Sequence, residues 1–337
     1  MTPLEIALLV QHGGFRFSEL EPQLELDAFL KNSDPKKAQK FRERCSEEEF
    51  EGQKTLIERY GVKLISFWDD SYPESLRKTR FPPAVLFVRG DDRLLRESCV
   101  GVVGTRRPTG YGTSVTKRFV KLLCECFVIV SGMALGIDSV AHREALDNGG
   151  RTVAVLGTGV DVIYPKLNKV LFNRILKSGC VVSEYPMGTR PRKHHFPARN
   201  RIIAGLSRVI VVTEAPMKSG ALITAKFAVE NGRDVFAVPG DIDRKTSEGT
   251  NYLVKSGACP LTSEEDLMFY LGLASKKDLS LDPPQKMVYE SLKVSPKSVD
   301  DLVEELGWDV SEVLKVISEL ELAGLVEFFW GTYRILG

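Results

Sequence analysis

Between Pro186 and Gly205 the chain carries Arg190, Arg192, Lys193, Arg199 and Arg201, together with His194 and His195, and no acidic residue. Cationic side chains in such a run neutralise phosphates and release the counterions that a polyanion condenses. Phe196 lies inside the run, and an aromatic face among cations stacks a nucleobase for about 1–3 kcal/mol. Taken alone, this hairpin-like cationic stretch reads equally well as a solvated loop whose phenylalanine tucks into the core. The background gives it weight. The 337 residues include 46 basic and 45 acidic ones, a formal net charge of +1, so a polyanion would be met by local clustering and not by overall basicity.

A second set of candidates follows short apolar runs. Val103 leads into Gly104-Thr105-Arg106-Arg107, Val130 into Ser131-Gly132-Met133-Ala134-Leu135-Gly136, Leu156 into Gly157-Thr158-Gly159, and Thr213 into the loop ending Lys218-Ser219-Gly220. Glycine there lets backbone approach a ligand, and helices starting directly afterwards present N–H groups and a dipole that favour phosphate. One such turn is ordinary packing. Several, with hydroxyls from Ser131, Ser219 and Thr224, point to an anion-binding edge. Arg106, Arg107, Lys166 and Lys169 add more cations than a mononucleotide needs, which suggests a longer polyanion.

These groups must be positioned by alternating elements. Runs at 85–88, 99–103, 127–130, 152–156, 180–183, 209–213 and 235–238 are apolar and β-rich, and amphipathic helical patterns at 111–125, 137–147, 167–177 and 221–231 separate several of them. That order predicts βαβ units in a parallel sheet covered on both faces, with ligands bound outside the carboxyl ends of the strands. Residues 1–60 read as a small helical domain. The polar stretch 274–284, with Lys276, Lys277, Asp278, Pro283 and Pro284, reads as a linker. Beyond it, helices near 285–293, 299–306 and 311–323, a stop at Gly324, and strands at 326–329 and 333–336 about Gly331 outline a winged helix-turn-helix. Its third helix carries Glu312, Glu319 and Glu321 against Lys315, a poor balance for reading a DNA groove, so a protein contact is expected there.

Other chemistries find little support. Asp138 and His142 stand at i, i+4, read as a carboxylate favouring a helix N-terminus and an imidazole packed locally. The four histidines and six cysteines show no metal-ligand spacing, and Cys99, Cys180 and Cys259 read as small buried hydrophobes of a reducing compartment. No nucleophile elbow or Walker A sequence occurs. No run reaches the length of a membrane span and no signal peptide is legible, so a cytoplasmic protein is expected.

The string Val102-Val103-Gly104-Thr105-Arg106-Arg107-Pro108-Thr109-Gly110-Tyr111-Gly112 resembles a core motif of the DNA-processing protein A family (DprA, also called Smf). So do Ser131–Asp138 with Ala141-His142, Tyr164-Pro165, Phe196-Pro197-Ala198-Arg199-Asn200-Arg201 through Ser207, Ser219–Ala225, and Val238-Pro239-Gly240. They occur in order over about 100–260. The resemblance implies an extended Rossmann-like fold over 61–273, with an N-terminal helical (SAM-like) domain and a C-terminal winged helix over 285–337. It implies a non-catalytic homodimer that binds single-stranded DNA and loads the RecA recombinase in natural transformation or recombination, with no cofactor or metal. By position, Arg106, Lys166, Phe196, Arg199 and Arg201 match family sites linked to DNA. The expected track comprises these five with Gly104, Gly132, Asn200, Ser219, Gly220 and Thr224. The alternative is a Rossmann-like phosphoribohydrolase with a P-G-G-x-G-T-x-x-E motif. Here the glutamate's place, three residues after Thr224, is taken by Phe227.

Overall fold

Nine strands form one sheet in the computed structural model, which describes residues 1–272, 281–323, 325–329 and 331–335. They are β1 Lys63–Ser66, β2 Val85–Gly90, β3 Cys99–Val103, β4 Val128–Ser131, β5 Thr152–Val155, β6 Gly179–Ser183, β7 Val209–Val212, β8 Asp234–Ala237 and β9 Cys259–Pro260, in the order β1-β2-β6-β5-β4-β3-β7-β8-β9. β3 to β9 run parallel, while β1 and β2 form an antiparallel edge beside β6. The chain winds outward from β3 through β4, β5 and β6, then returns to the other flank of β3 with β7 and β8. The winding therefore reverses between β3 and β7, where an open α/β sheet leaves a crevice at its carboxyl edge. The central strands are buried along their whole length, which is why their sequences are continuous apolar runs and not alternating ones.

The helices are α1 Pro3–Leu8, α2 Leu26–Asn32, α3 Pro35–Arg44, α4 Glu47–Tyr60, α5 Glu74–Arg77, α6 Gly110–Leu123, α7 Ile137–Asp147, α8 Lys169–Ser178, α9 His195–Leu206, α10 Gly220–Glu230, α11 Glu248–Lys255 and α12 Glu264–Tyr270. Hydroxyl caps start the two that matter most at the crevice. Thr109 accepts from the Gly112 N–H at 3.2 Å to open α6, and Ser219 accepts from the Ala221 N–H at 3.2 Å to open α10. The stretch read as hairpin-like is instead a loop followed by α9. Ile202, Ile203, Ala204 and Leu206 of α9 join the core against the sheet, and burying that apolar half outweighs the charge at its start.

The chain divides into two compact units, residues 1–267 and 268–337. In the first, the N-terminal helices share one apolar core with the sheet: Leu8, Leu9, Phe29 and Phe41 belong to the same buried cluster as Phe87, Phe172 and Val181. Gln53 of α4 reinforces the join, donating to the Met187 carbonyl at 3.1 Å and accepting from the Met187 N–H at 3.0 Å. Cys99 and Cys180 are buried free thiols, whereas Cys259 is partly exposed, because β9 is a short edge strand.

The second unit contains α13 Pro283–Val294, α14 Val299–Leu306, α15 Val310–Leu322 and the hairpin of β10 Val326–Phe329 with β11 Thr332–Ile335. Capping boxes open α13 (Asp282 with Gln285) and α14 (Ser298 with Asp301). Val288, Leu292, Leu302, Val313, Ile317, Leu320 and Val326 form its core. This is a winged helix. On α15, Glu312, Lys315 and Glu321 are exposed, and Glu319 accepts from Gln285. Residues 274–280 of the expected linker, Gly324 and Leu336 lie outside the described residues. Among the described residues no helix is long and apolar enough to cross a membrane.

Candidate nucleic-acid interface

The crevice between β3 and β7 opens into a cleft of about 660 Å³. One wall is the loop after β3, with Gly104, Arg106 and Arg107. The opposite wall is the loop into α10, with Lys218, Ser219, Gly220 and then Thr224. The first turns of α9 close it with Phe196, Arg199 and Asn200, and Lys193 and Tyr164 stand beside them. Arg106, Arg107, Lys193 and Lys218 are all exposed, and among the described residues none of the four takes part in an ion pair. Four unpaired cations around the N-terminus of an eleven-residue helix make a strongly anion-favouring rim.

Phe196 is half-buried and not sealed in the core. Its ring lies 5.4 Å from that of Tyr164, tilted by 33°, and the Arg106 guanidinium carbon is 5.8 Å from its centroid. Gly157 at the end of β5 makes room for it, since a Cβ there would come within 3.0 Å of Phe196 Cδ1. An aromatic face held beside a cation and open to a cleft is a stacking platform for a base.

The floor is a polar network that ties four loops together. Arg199 is 4% exposed. Its Nη1 donates to the carbonyl oxygens of Gly132, at 2.7 Å, and of Val155, and its Nε donates to Asn200 Oδ1 at 3.2 Å. Asn200 in turn donates to the Gly220 carbonyl at 3.1 Å, as does the Thr224 hydroxyl at 3.4 Å. Asp138, in the first turn of α7, also reaches the cleft and accepts from the Ala134 N–H at 3.3 Å. Burial pushes its carboxyl up from the usual range against the pull of Arg199 and Arg106, and burial brings Arg199 down to about 10, still cationic at neutral pH.

The structure redistributes the expected residues. Gly104, Arg106, Phe196, Asn200, Ser219, Gly220 and Thr224 meet around the cleft. Arg199 meets them too, yet as a buried brace in place of the exposed phosphate clamp expected, because its guanidinium is turned inward to the carbonyls of Gly132 and Val155. Gly132 sits behind the wall: it is buried, and its carbonyl accepts from Arg199 in place of its amide facing a phosphate. Arg201 is directed away. Its guanidinium grips Glu184 through two bonds of 2.6 Å, with both side chains 18% exposed. Residues two apart on a helix face different ways, so Arg199 and Arg201 could not both line one groove, and the acid that neutralises Arg201 lies just upstream of the acid-free run. Lys166 is exposed on the turn after Tyr164 but does not line the cleft.

Some contributors escaped the sequence reading. Arg107 was expected near this edge with Arg106, and Lys193 within the basic run, but Tyr164 was visible only as part of a Tyr-Pro pair and nothing marked its place beside Phe196. Glu214 had no signal at all. It is buried at the end of β7, where its carbonyl accepts from the Thr105 N–H at 2.7 Å and its carboxylate from the Thr109 N–H at 2.8 Å, holding the Arg106 loop at both ends. His142 packs internally, its Nδ1 2.7 Å from the Thr152 hydroxyl. Among the described residues no cluster of three or more His, Cys, Asp or Glu side chains is placed to hold a metal ion.

Comparison with known proteins places this geometry among relatives. Residues 63–272 match the family of DNA recombination-mediator protein A, and residues 274–328 match the DprA winged helix domain. The chain is 48% identical over 204 residues to the DNA processing protein DprA of Streptococcus pneumoniae, covering 60% of this chain and 72% of that protein. It is 37% identical over 298 residues to Protein Smf of Escherichia coli, covering 82% and 78%. Among solved structures, DNA processing protein A from S. pneumoniae superposes with a TM-score of 0.67 at 38% identity, over 80% of this chain and 93% of that one. DNA processing protein A from Helicobacter pylori, whose structure describes a single-stranded DNA binding mode, gives 0.58 at 31% identity, over 63% and 96%.

Proposed function

The chain belongs to the DNA recombination-mediator protein A family, and from that premise we propose that it binds single-stranded DNA in the cleft between β3 and β7 and hands that strand to the RecA recombinase. In this reading it protects incoming or recombining single strands in natural transformation or homologous recombination. It works in the cytoplasm as a homodimer, two clefts raising the avidity for one strand. The observation that carries the reading is the gathering of Arg106, Arg107, Lys193 and Lys218 around the half-exposed Phe196. Cations take the phosphates, and the ring takes a base whose face a duplex would hide. The role is binding without catalysis. Phe227, at the place where the hydrolase motif carries its glutamate, packs against the sheet's core, and the Thr224 hydroxyl is turned to a backbone carbonyl.

A titration with labelled single-stranded and duplex oligonucleotides at two salt concentrations tests this. The single strand should bind more tightly, with log K falling against log salt by about 0.7 for each neutralised phosphate, hence roughly 3 for four cations. Equal binding of duplex, or affinity indifferent to salt, would refute it. Transfer to the recombinase is tested separately, by the rate at which RecA filaments form on a strand already coated with this protein.

A further inference from the structure

We propose that the cleft floor is a base-edge subsite that favours guanine within a single strand; the inference rests on the single-strand reading above and refines it. Asp138 and Arg199 both line the cleft, both are buried, and yet no ion pair joins them. A Cβ on Gly132 would lie 2.7 Å from Asp138 Oδ2 and 2.6 Å from Arg199 Nη2, so the acceptor and the donor flank one backbone position. The rest of Arg199 is already engaged by the carbonyls of Gly132 and Val155 and by Asn200. Nη2 is the donor left over, and Asp138, which accepts from the Ala134 N–H and is approached by the Ser131 hydroxyl, keeps acceptor capacity to spare.

Phe196 and Arg199 are three residues apart on α9 and so share a helix face. A base lying on the Phe196 ring therefore directs an edge toward Arg199 and Asp138. An unpaired base exposes its Watson–Crick edge, which proteins read by hydrogen bonds as they do the Hoogsteen edge. Guanine presents an acceptor, O6, beside two donors, N1–H and N2–H. One guanidinium nitrogen and one carboxylate complement that order at all three points. Cytosine and adenine each offer the carboxylate a single donor group. Thymine sets a carbonyl on either side of its N–H and would bring an oxygen against the carboxylate. The four rim cations argue for guanine in a polynucleotide over a free nucleotide, whose phosphate would need fewer.

The test is fluorescence anisotropy with the full chain and oligo-dT strands carrying one central substitution. A single dG should tighten binding at least about fivefold over all-dT, the scale of one good bidentate contact, and hypoxanthine, which lacks the N2 amino group, should lose most of that gain. Asp138→Asn should lower the dG-to-dT affinity ratio whatever its effect on absolute affinity. If that variant does not fold, the substituted strands on the unaltered protein still decide. Affinities for dG, hypoxanthine and dT strands within about twofold of one another would overturn the subsite while leaving single-strand binding standing. Failure of the all-dT strand to bind would overturn both. Free dGMP that binds without displacing a dG strand would overturn the assignment to polynucleotide.

Discussion

The Arg106 guanidinium stands 5.8 Å from the centre of the Phe196 ring, joining a loop that follows β3 to a helix that starts some ninety residues later. The pair combines a phosphate charge with a base platform in one place, and the two halves can be separated by mutation.

Phe196→Ala should weaken single-strand binding by about five- to a hundredfold, the loss of one base stack. Because the ring is half-exposed, the unfolding midpoint should move little. Phe196→Tyr should retain most of the affinity. Anisotropy titrations paired with thermal melts check both halves; a large melt shift with unchanged binding would mean the ring is structural.

Arg106→Ala and Arg201→Ala should differ in kind. The first removes an exposed cation and should flatten the salt slope by about 0.7 with little change in stability. The second leaves Glu184 partly buried without its partner and should destabilise the fold by roughly 2–3 kcal/mol while the salt slope holds. Denaturant midpoints and salt titrations on the two variants would reveal an exchange of these roles.

Gln53→Ala should strip the partners from both backbone groups of Met187. Each buried polar group left unsatisfied costs about 1–3 kcal/mol, so a loss of at least about 2 kcal/mol is expected in urea unfolding. The chain just before the basic run should also become more open to proteolysis. A neutral variant would show that water replaces the glutamine.

His142 gives the fold an acid sensitivity. Burial, with help from Arg199, pushes its pKa down from 6.5 to about 3. The folded pKa is depressed, so the unfolded chain takes up a proton that the folded one refuses. The contribution is complete above pH 6.5 and is lost as pH falls toward 3, at up to about 1.4 kcal/mol per pH unit. Stability curves of the parent and His142→Gln should therefore converge on acidification across that window; parallel curves would place the acid response elsewhere.

Much of the fold was legible because its signals are local. A strand buried on both faces must be apolar along its length, as Val209–Val212 is, and a helix that begins at a strand end advertises itself through Thr109 or Ser219. The winged helix was equally visible in its spacing. The hairpin-like reading of the basic run failed because charge at the first turns of α9 masked an apolar half that is fully buried only against the sheet.

What the residue order determined by itself is the supply of chemistry: an acid-free basic run, an aromatic inside it, and glycine turns at strand ends. Only the tertiary structure decided which of those groups face one another. Helical phase separates Arg199 from Arg201, Glu184 claims the latter, and the strand-end carbonyls claim most of the former, while Tyr164, Lys193 and Lys218 converge from segments with no common pattern. Side-chain type is written in one dimension, but whether a charge is exposed, paired or buried depends on neighbours distant in the chain, and those neighbours are brought together by packing.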